Sequence, residues 1–588
     1  MIQVLHVSSE CYPAAKTGGL GDVVGSLPKY MTQSGMLSAA IIPKYALKWI
    51  QNQEWEHVHG GAIRVDWRHH GFSIQKEKYD SLGFPLFVVD IPGLFDRPGI
   101  YSDPNSGNPY GDETERYLTF QQAVLHWVRS FPNEHRPKVL HCHDHHTGLI
   151  PFMTKFCPEY QSLASIPTVF TIHNGQYQGW FSWDNEHLLP YYAAGGRGIL
   201  DWKGVVNPLA AAVKAAWAVT TVSPSYLYEL HQSSIGLEPL FQQEWQKEHG
   251  ILNGIDAAVW DPATDPSIQY RLEGDDVSGF KQKNKAILCE TFGLNPNAPL
   301  VSFIGRMVSE KGVDLLPDTI RYFLNTGSRT SFLILGTGEA WNENQFRSLS
   351  YEYQGRINAV IDYNEALAHQ IYAGSDYLLM PSRVEPCGLN QMYAMRYGTI
   401  PIVRSVGGLK DTVPDISEPE GRGRGIRFEE FSTEACYHAI HRAVSMYYND
   451  PEILEWLRAK VMQVDFSWEH AISHYVSVYN QIGGAVGPVK KTEVPAPEKP
   501  ASKPRAKRAT TTKSEAKTET AAPEKPVAKP RAKRTVAAKS TPKAKTTAAP
   551  KKTEQASKPT ETKPKASTTR KPRTSKTSTT KKTTTKKK

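Results

Sequence analysis

The chain has 588 residues, enough for two or three domains, and a formal net charge of +10. That charge averages two unlike parts: residues 490–588 hold 31 Lys and Arg against 7 Asp and Glu, a net of +24, which leaves −14 on residues 1–489. Six cysteines with no C-x-x-C spacing, no apolar run near the roughly 20 residues of a membrane span, and a start that enters an apolar strand at once argue against a disulfide scaffold, a zinc ribbon, a signal segment and an integral membrane protein; the chain reads as cytoplasmic.

Residues 2–7 form a short apolar run bounded by Ser8-Ser9-Glu10 and read as a buried first strand. Lys16-Thr17-Gly18-Gly19-Leu20-Gly21-Asp22 follows, and helical spacing begins at Val23. The glycine pair therefore sits where a strand turns into a helix. Glycines there let a ligand approach the backbone, a helix start offers N–H groups to an anion, and Lys16 adds a positive charge. A tight turn with a solvated lysine would look the same. The string is neither the dinucleotide fingerprint nor a Walker loop.

Further strands are expected at 38–43, 84–90, 138–143 and 167–173, interleaved with helices. That pattern predicts a parallel sheet covered on both faces. Ligands of such sheets lie beyond the carboxyl ends of the strands, where His143-Asp144 and His173-Asn174 fall. A second set of strands at 300–305, 332–336, 357–361, 377–381 and 399–403, with a helix over 311–324, predicts a second Rossmann-like domain ending near residue 460. A last amphipathic helix is expected within 466–479. Beyond 483 the chain has no Phe, Trp or Tyr and is rich in Lys, Ala, Thr, Pro and Ser, a composition that predicts disorder. Lys503-Pro504-Arg505-Ala506-Lys507-Arg508 recurs 26 residues later as Lys529-Pro530-Arg531-Ala532-Lys533-Arg534. This tail resembles those of histone H1-like proteins, and a contact with polyanions or nucleic acid is expected of it.

Three strings of the second domain carry charge or glycine at strand ends. Gly305-Arg306-Met307-Val308-Ser309-Glu310-Lys311 places two cations where they would grip a diphosphate. Glu385-Pro386-Cys387-Gly388-Leu389-Asn390-Gln391 runs into a helix, so Glu385 alone would read as a helix cap. Gly407-Gly408-Leu409-Lys410-Asp411-Thr412-Val413 is a second glycine pair at a helix start, read as a second phosphate cradle. In the first domain His141, His143, His145 and His146 could suggest a metal. Without a carboxylate shell that signal is weak, and no metal or other cofactor is expected.

Lys16-Thr17-Gly18-Gly19-Leu20, the Glu385-Pro386-Cys387-Gly388-Leu389 string, Gly407-Gly408-Leu409 with Asp411-Thr412-Val413, Thr171-Ile172-His173-Asn174-Gly175, the string from Phe95 to Tyr101 and Asn253-Gly254-Ile255-Asp256 together resemble the bacterial glycogen synthase and plant starch synthase family, over about residues 1–482. The resemblance implies an α/β fold of two Rossmann-like domains facing a central cleft (GT-B) followed by a disordered tail. Its boundaries would be 1–255 for the acceptor-side domain, 256–464 for the nucleotide-sugar domain, 465–482 for a helix returning to the first domain, and 483–588 for the tail. It implies a hexosyltransferase that moves glucose with retention from a nucleotide sugar, ADP-glucose being favoured, to the non-reducing end of an α-1,4-glucan.

The resemblance assigns Glu385, His173, Lys311 and Arg306 to catalysis. Substrate contacts fall to Lys16, Gly18, Gly19, Asp22, Asp144, Asn174, Asn253, Gly388, Leu389, Gly408, Leu409 and Thr412. Asp144 and His143 would lie near the acceptor cleft, where His145 replaces a Trp common in the family. The alternatives are another GT-B transferase using UDP-glucose, or a nucleic-acid-binding protein with an inert transferase domain. No residue fixes the base of the donor.

Overall fold

The computed structural model describes residues 2–488; the basic repeats lie outside the described residues. Eleven strands belong to the first half: β1 Val4–Val7, β2 Ser38–Pro43, β3 Trp55–Val65, β4 Arg68–Glu77, β5 Leu86–Asp90, β6 Val139–His143, β7 Thr168–Ile172, β8 Asp201–Trp202, β9 Val205–Val206, β10 Ala218–Thr221 and β11 Glu248–Gly250. Nine of them form one sheet in the order β11-β10-β7-β6-β1-β2-β5-β4-β3, and β8 pairs with β9 in a separate hairpin. The second half adds β12 Leu300–Ile304, β13 Ser331–Gly336, β14 Ile357–Ile361, β15 Tyr377–Met380, β16 Ile400–Arg404 and β17 Ile426–Phe428. These make a second sheet in the order β14-β13-β12-β15-β16-β17, parallel throughout.

The strands expected in the first sheet pair in parallel, and the sheet gains an antiparallel edge that the sequence reading does not include. β3 and β4 form an antiparallel hairpin, and β4 runs antiparallel to β5. The hairpin escaped the sequence reading because its outer strand is mostly exposed and carries His and Gly in place of an apolar alternation. The central strands are legible for the opposite reason. β1, β2, β6 and β7 are buried at every residue, as a sheet covered on both faces requires.

The strand order places the site. In the first sheet β1 lies between β2 and β6, and in the second β12 lies between β13 and β15. Each is a point where successive connections leave in opposite directions, and a crevice opens beyond the strand ends. The helix Gly19–Gln33 rises from the end of β1, with Leu20, Val23, Val24, Leu27, Tyr30 and Met31 buried at helical spacing. One expected helix start moves. Lys311 ends a 3-10 turn, Ser309–Lys311, and the helix proper is Leu316–Asn325, because Gly312 adopts a left-handed conformation (φ +66°) that interrupts the chain.

The last helix, Trp468–Gln481, packs on the first half of the molecule. Trp468, Ile472, Tyr475 and Tyr479 join Val4, Val23, Leu27, Tyr30 and Met31 in one apolar cluster. Tyr479 also reaches inward, its hydroxyl 2.8 Å from His141 Nδ1. Gly254 lies so close to Trp468 that a Cβ there would meet backbone at 2.6 Å. Trp468→Ala should therefore lower stability by about 3–5 kcal/mol, read as a shifted denaturant midpoint. An unchanged midpoint would show that this helix is held by something else.

Candidate active site

A cavity of about 680 Å³ lies between the two sheets. Its walls come from the ends of β1, β6 and β7 on one side and of β12 and β15 on the other. Lys16, Gly18, Gly19, Asp22, Asp144, His173, Asn174, Asn253, Arg306, Lys311, Glu385, Gly388 and Leu389 all line it. The chain's two halves also touch across the cleft. Tyr177 donates its hydroxyl to Glu310 at 2.9 Å, Ser223 donates to the Pro386 carbonyl at 2.6 Å, and Ser225 Oγ donates to Asp411 at 2.7 Å.

At the centre of the second wall Lys311 Nζ donates to both oxygens of Glu385, at 2.6 and 2.8 Å. Ser382 donates to Glu385 Oε2 at 2.8 Å. Glu385 is buried beneath the cavity surface and Lys311 is a quarter exposed. The cap reading of Glu385 does not hold: the helix begins at Asn390, behind an N-cap, Leu389, that makes no side-chain cap. Arg306 is more open and is held loosely by Glu310, 3.4 Å away. Gly388 turns the loop in a left-handed conformation, φ +72°.

The first glycine loop is pre-organised by a residue that the sequence reading passed over. Glu10 accepts the N–H groups of Thr17 and Gly18 at 2.6 and 3.1 Å, and Tyr101 donates to its other oxygen at 2.7 Å. Two of the amides expected to face an anion thus hold a carboxylate. Gly19 and Leu20, at the helix start, line the cavity, and a Cβ on Gly18 or Gly19 would meet nothing within 4 Å. Lys16 pairs with Asp22 at 2.7 Å. Glu10 was recoverable from its place immediately after β1; Tyr101 lay within a quoted string without an assigned role.

The second glycine pair is corrected. Gly408, Leu409 and Thr412 do not line the cavity. The Gly407 N–H donates to Glu229 at 2.6 Å and the Gly408 N–H to the Glu385 carbonyl at 3.1 Å. A Cβ on Gly407 would stand 2.1 Å from the Glu385 carbonyl oxygen, and one on Gly408 2.1 Å from that of Cys387. The glycines let one loop lie flat against the other. Thr412 accepts from Gln391 Nε2 at 3.0 Å, which also donates to the Gly388 carbonyl. These residues brace the Glu385 segment from behind.

On the first wall the imidazoles run in series. His173 Nε2 is 3.0 Å from His143 Nδ1, and His143 Nε2 is 3.1 Å from His6 Nδ1. Burial pushes His173 and His6 down to about 3 and holds His143 well below its ordinary value, so the row is neutral at neutral pH. Asp144, at φ +55°, accepts the N–H of His173 at 2.7 Å and of Asn174 at 3.4 Å. Its carboxylate fixes the turn that presents His173. Asn253 lines the cavity beside Cys387, whose thiol burial raises. All six cysteines are buried and unpaired.

Two facing α/β sheets with a cleft lined from both strand-end crevices make a two-domain α/β architecture of the GT-B kind. Residues 3–243 match the family model described as starch synthase catalytic domain, and residues 286–452 that of glycosyl transferases group 1. Glycogen synthase from Flavobacterium johnsoniae is 47% identical over 484 residues, covering 82% of this chain and 99% of the relative. Glycogen synthase from Streptococcus pneumoniae is 37% identical over 493 residues, with 82% and 100% covered. Among solved structures, the catalytic domain of starch synthase IV from Arabidopsis thaliana, bound to ADP and acarbose, superposes with a TM-score of 0.73 at 31% identity, over 82% of this chain and 99% of that one. Sucrose-phosphate synthase from Thermosynechococcus elongatus shares the fold alone, at a TM-score of 0.52 and 16% identity. The chain belongs to the glycogen/starch synthase family and is a hexosyltransferase. Among the described residues no helix is long and apolar enough to cross a membrane.

Burial raises the Asp144 carboxyl from 3.8 to about 7, although the residue keeps some contact with the cavity. An acid held above its unfolded value is favoured protonated in the fold. Stability from this group is therefore fullest near pH 4 and falls as pH rises toward 7, by at most about 1.4 kcal/mol per pH unit. Asp144→Asn keeps an acceptor for both N–H groups and removes the titration. The melting temperature of the wild type relative to this variant should fall between pH 4 and 7; a constant difference would contradict the assignment.

Proposed function

We propose that the protein transfers glucose from ADP-glucose to the non-reducing end of an α-1,4-glucan with retention at the anomeric carbon. The observation that carries this reading is the Lys311–Glu385 pair set in a cavity with Arg306 on one wall and His173 and Lys16 on the other. Arg306 and Lys311 would neutralise the departing diphosphate, and Lys16 would reach it from the opposite wall. His173, neutral, would hydrogen-bond the transferred sugar. The ADP and acarbose bound to the Arabidopsis enzyme support a nucleoside diphosphate and a glucan-like molecule as the occupants.

Retaining glycosidases use a carboxylate nucleophile beside a second carboxyl. Here both oxygens of Glu385 are engaged by Lys311 and Ser382. Glu10, Asp22 and Asp144 are likewise held by loop amides, Lys16 and the His173 turn. That engagement favours a same-face reaction. The leaving phosphate oxygen accepts the acceptor hydroxyl's proton while the sugar's bond to it breaks, and Glu385 acts as an electrostatic partner. In this reading residues 1–255 serve the acceptor, residues 256–464 the donor, and residues 465–482 tie the two.

Glu385→Ala should reduce kcat by orders of magnitude, since it disturbs the reacting centre as well as binding; wild-type turnover would sink the role. Lys16→Ala should weaken donor use by roughly 10- to 150-fold, the worth of a charge-assisted contact of about 1.5–3 kcal/mol, with little loss of stability. Unchanged KM and kcat for the donor would remove Lys16 from the site. The basic tail is proposed to bind polyanions independently of transfer. A chain truncated after Pro488 should keep its turnover on glycogen and lose salt-sensitive retention on DNA. Retention by the truncated chain, or crippled turnover, would overturn that assignment.

A further inference from the structure

Beyond the donor side, one cluster on the first wall is not used by the chemistry above. Glu113 opens the helix Glu113–Ser130, and His145 and His146 form the 3-10 turn His145–Thr147 directly after Asp144. His145 Nε2 stands 3.4 Å from Glu113 Oε1, and His146 Nε2 stands 3.3 Å from the same oxygen. The two rings are 3.8 Å apart between centroids. These separations are long for N–H···O hydrogen bonds, whose usual length is about 2.9–3.0 Å. They match two edges of a different geometry, and the two imidazole nitrogens lie within 4.8 Å of each other. Ligand atoms placed tetrahedrally about 2.0–2.1 Å from one zinc ion stand about 3.3–3.4 Å from each other.

The surroundings suit a cation. Two imidazoles and one carboxylate are a ligand set that zinc-class ions accept and that magnesium and calcium, which take oxygen ligands, do not favour. His146 is buried and turns its Nε2 toward Glu113. Its other nitrogen lies 3.4 Å from Ser9 Oγ, which is itself bonded to Tyr101, and its ring is flanked by Tyr101 and Tyr117. The two tyrosine rings hold this imidazole in place. Glu113 is half exposed, which leaves the ion a solvent-facing position. His145 Nδ1 is buried without a partner, so the ligating tautomer leaves an N–H unsatisfied there. That cost suits a reversible site and not a structural zinc.

A second imidazole group, His6, His141 and His143, also brings its nitrogens together. It offers no carboxylate. Four of its nitrogens already face His143, His6, His173 and Tyr479 at 2.8 to 3.1 Å, and His141 Nε2 bonds Thr171. The Glu113 triad is the better candidate on both counts.

We propose that Glu113, His145 and His146 form a reversible site for a zinc-class divalent ion, and that the bound ion obstructs the part of the cavity bordered by Asp144. Glu113, His145 and His146 line both the main cavity and a smaller one of about 80 Å³ beside Trp180. An ion there adds two positive charges and its own water where the acceptor sugar would enter. The effect on transfer rests on the proposed function; the binding of the metal does not.

Full-length protein stripped with EDTA should be titrated with Co²⁺ by visible absorption and with Zn²⁺ by calorimetry. One ion per chain is expected, with the intense bands of tetrahedral Co²⁺, displaced by Zn²⁺. Glu113→Gln, at an exposed position that spares the fold, and His145→Ala should each weaken binding at least tenfold. The stripped enzyme should transfer glucose fully, and micromolar Zn²⁺ should inhibit the wild type but not the variants. No binding, or one-to-one binding retained by both variants, overturns the site. Binding without inhibition overturns the obstruction. Absence of glucosyl transfer by the stripped enzyme would count against the proposed function and leave the titration to judge the site.

Discussion

The site depends on one ion pair. Lys311 follows β12 and Glu385 follows β15, and these are hydrogen-bonded neighbours in the second sheet. Their side chains meet at the mouth of the crevice between them, with Glu385 below the surface and Lys311 reaching it from the cavity. A buried carboxylate without that partner would carry a large desolvation cost. The pair therefore fixes two loops at once and leaves a lysine poised beside the place where a negatively charged leaving group would sit. The rest of the second half is arranged to hold Glu385 still. Gly407 and Gly408 bring a backbone flat against residues 385–387, and Gln391 and Thr412 tie the same loop from behind.

The first wall shows the complementary logic. Its polar groups are almost all engaged by each other: Glu10 with the glycine loop, Lys16 with Asp22, Asp144 with the His173 turn, and His173 with His143 and His6. Such a wall keeps its shape before anything binds, which is what a charge-stabilising site requires. It also explains why a cleft holding several carboxylates offers none of these as a free nucleophile.

Much of this was legible in the sequence where a single physical rule governs. The central strands are short, apolar and buried on both faces, so their ends, and with them Asp144, His173 and Arg306, could be placed, whereas Glu385 alone reads as a helix cap and owes its place to the family resemblance. Readings failed where two causes give the same letters. A glycine pair at a helix start borders the open cavity at Gly18 and Gly19 but serves close backbone packing at Gly407 and Gly408, and only the neighbouring chain tells them apart. Glu10 and Tyr101 were missed because Glu10 holds a loop 7 residues on and Tyr101 holds Glu10 from 91 residues away, pairings that periodicity does not encode. The β3–β4 hairpin was missed because an edge hairpin needs little apolar sequence.

The central claim is that Lys311 and Glu385 act as a unit at the reacting centre. It is tested most directly by a double-mutant cycle on kcat/KM for glucosyl transfer with Lys311→Ala, Glu385→Ala and the pair. The account predicts strong non-additivity, the double variant losing little more than either single one. Losses that simply multiply would show two independent residues and contradict it.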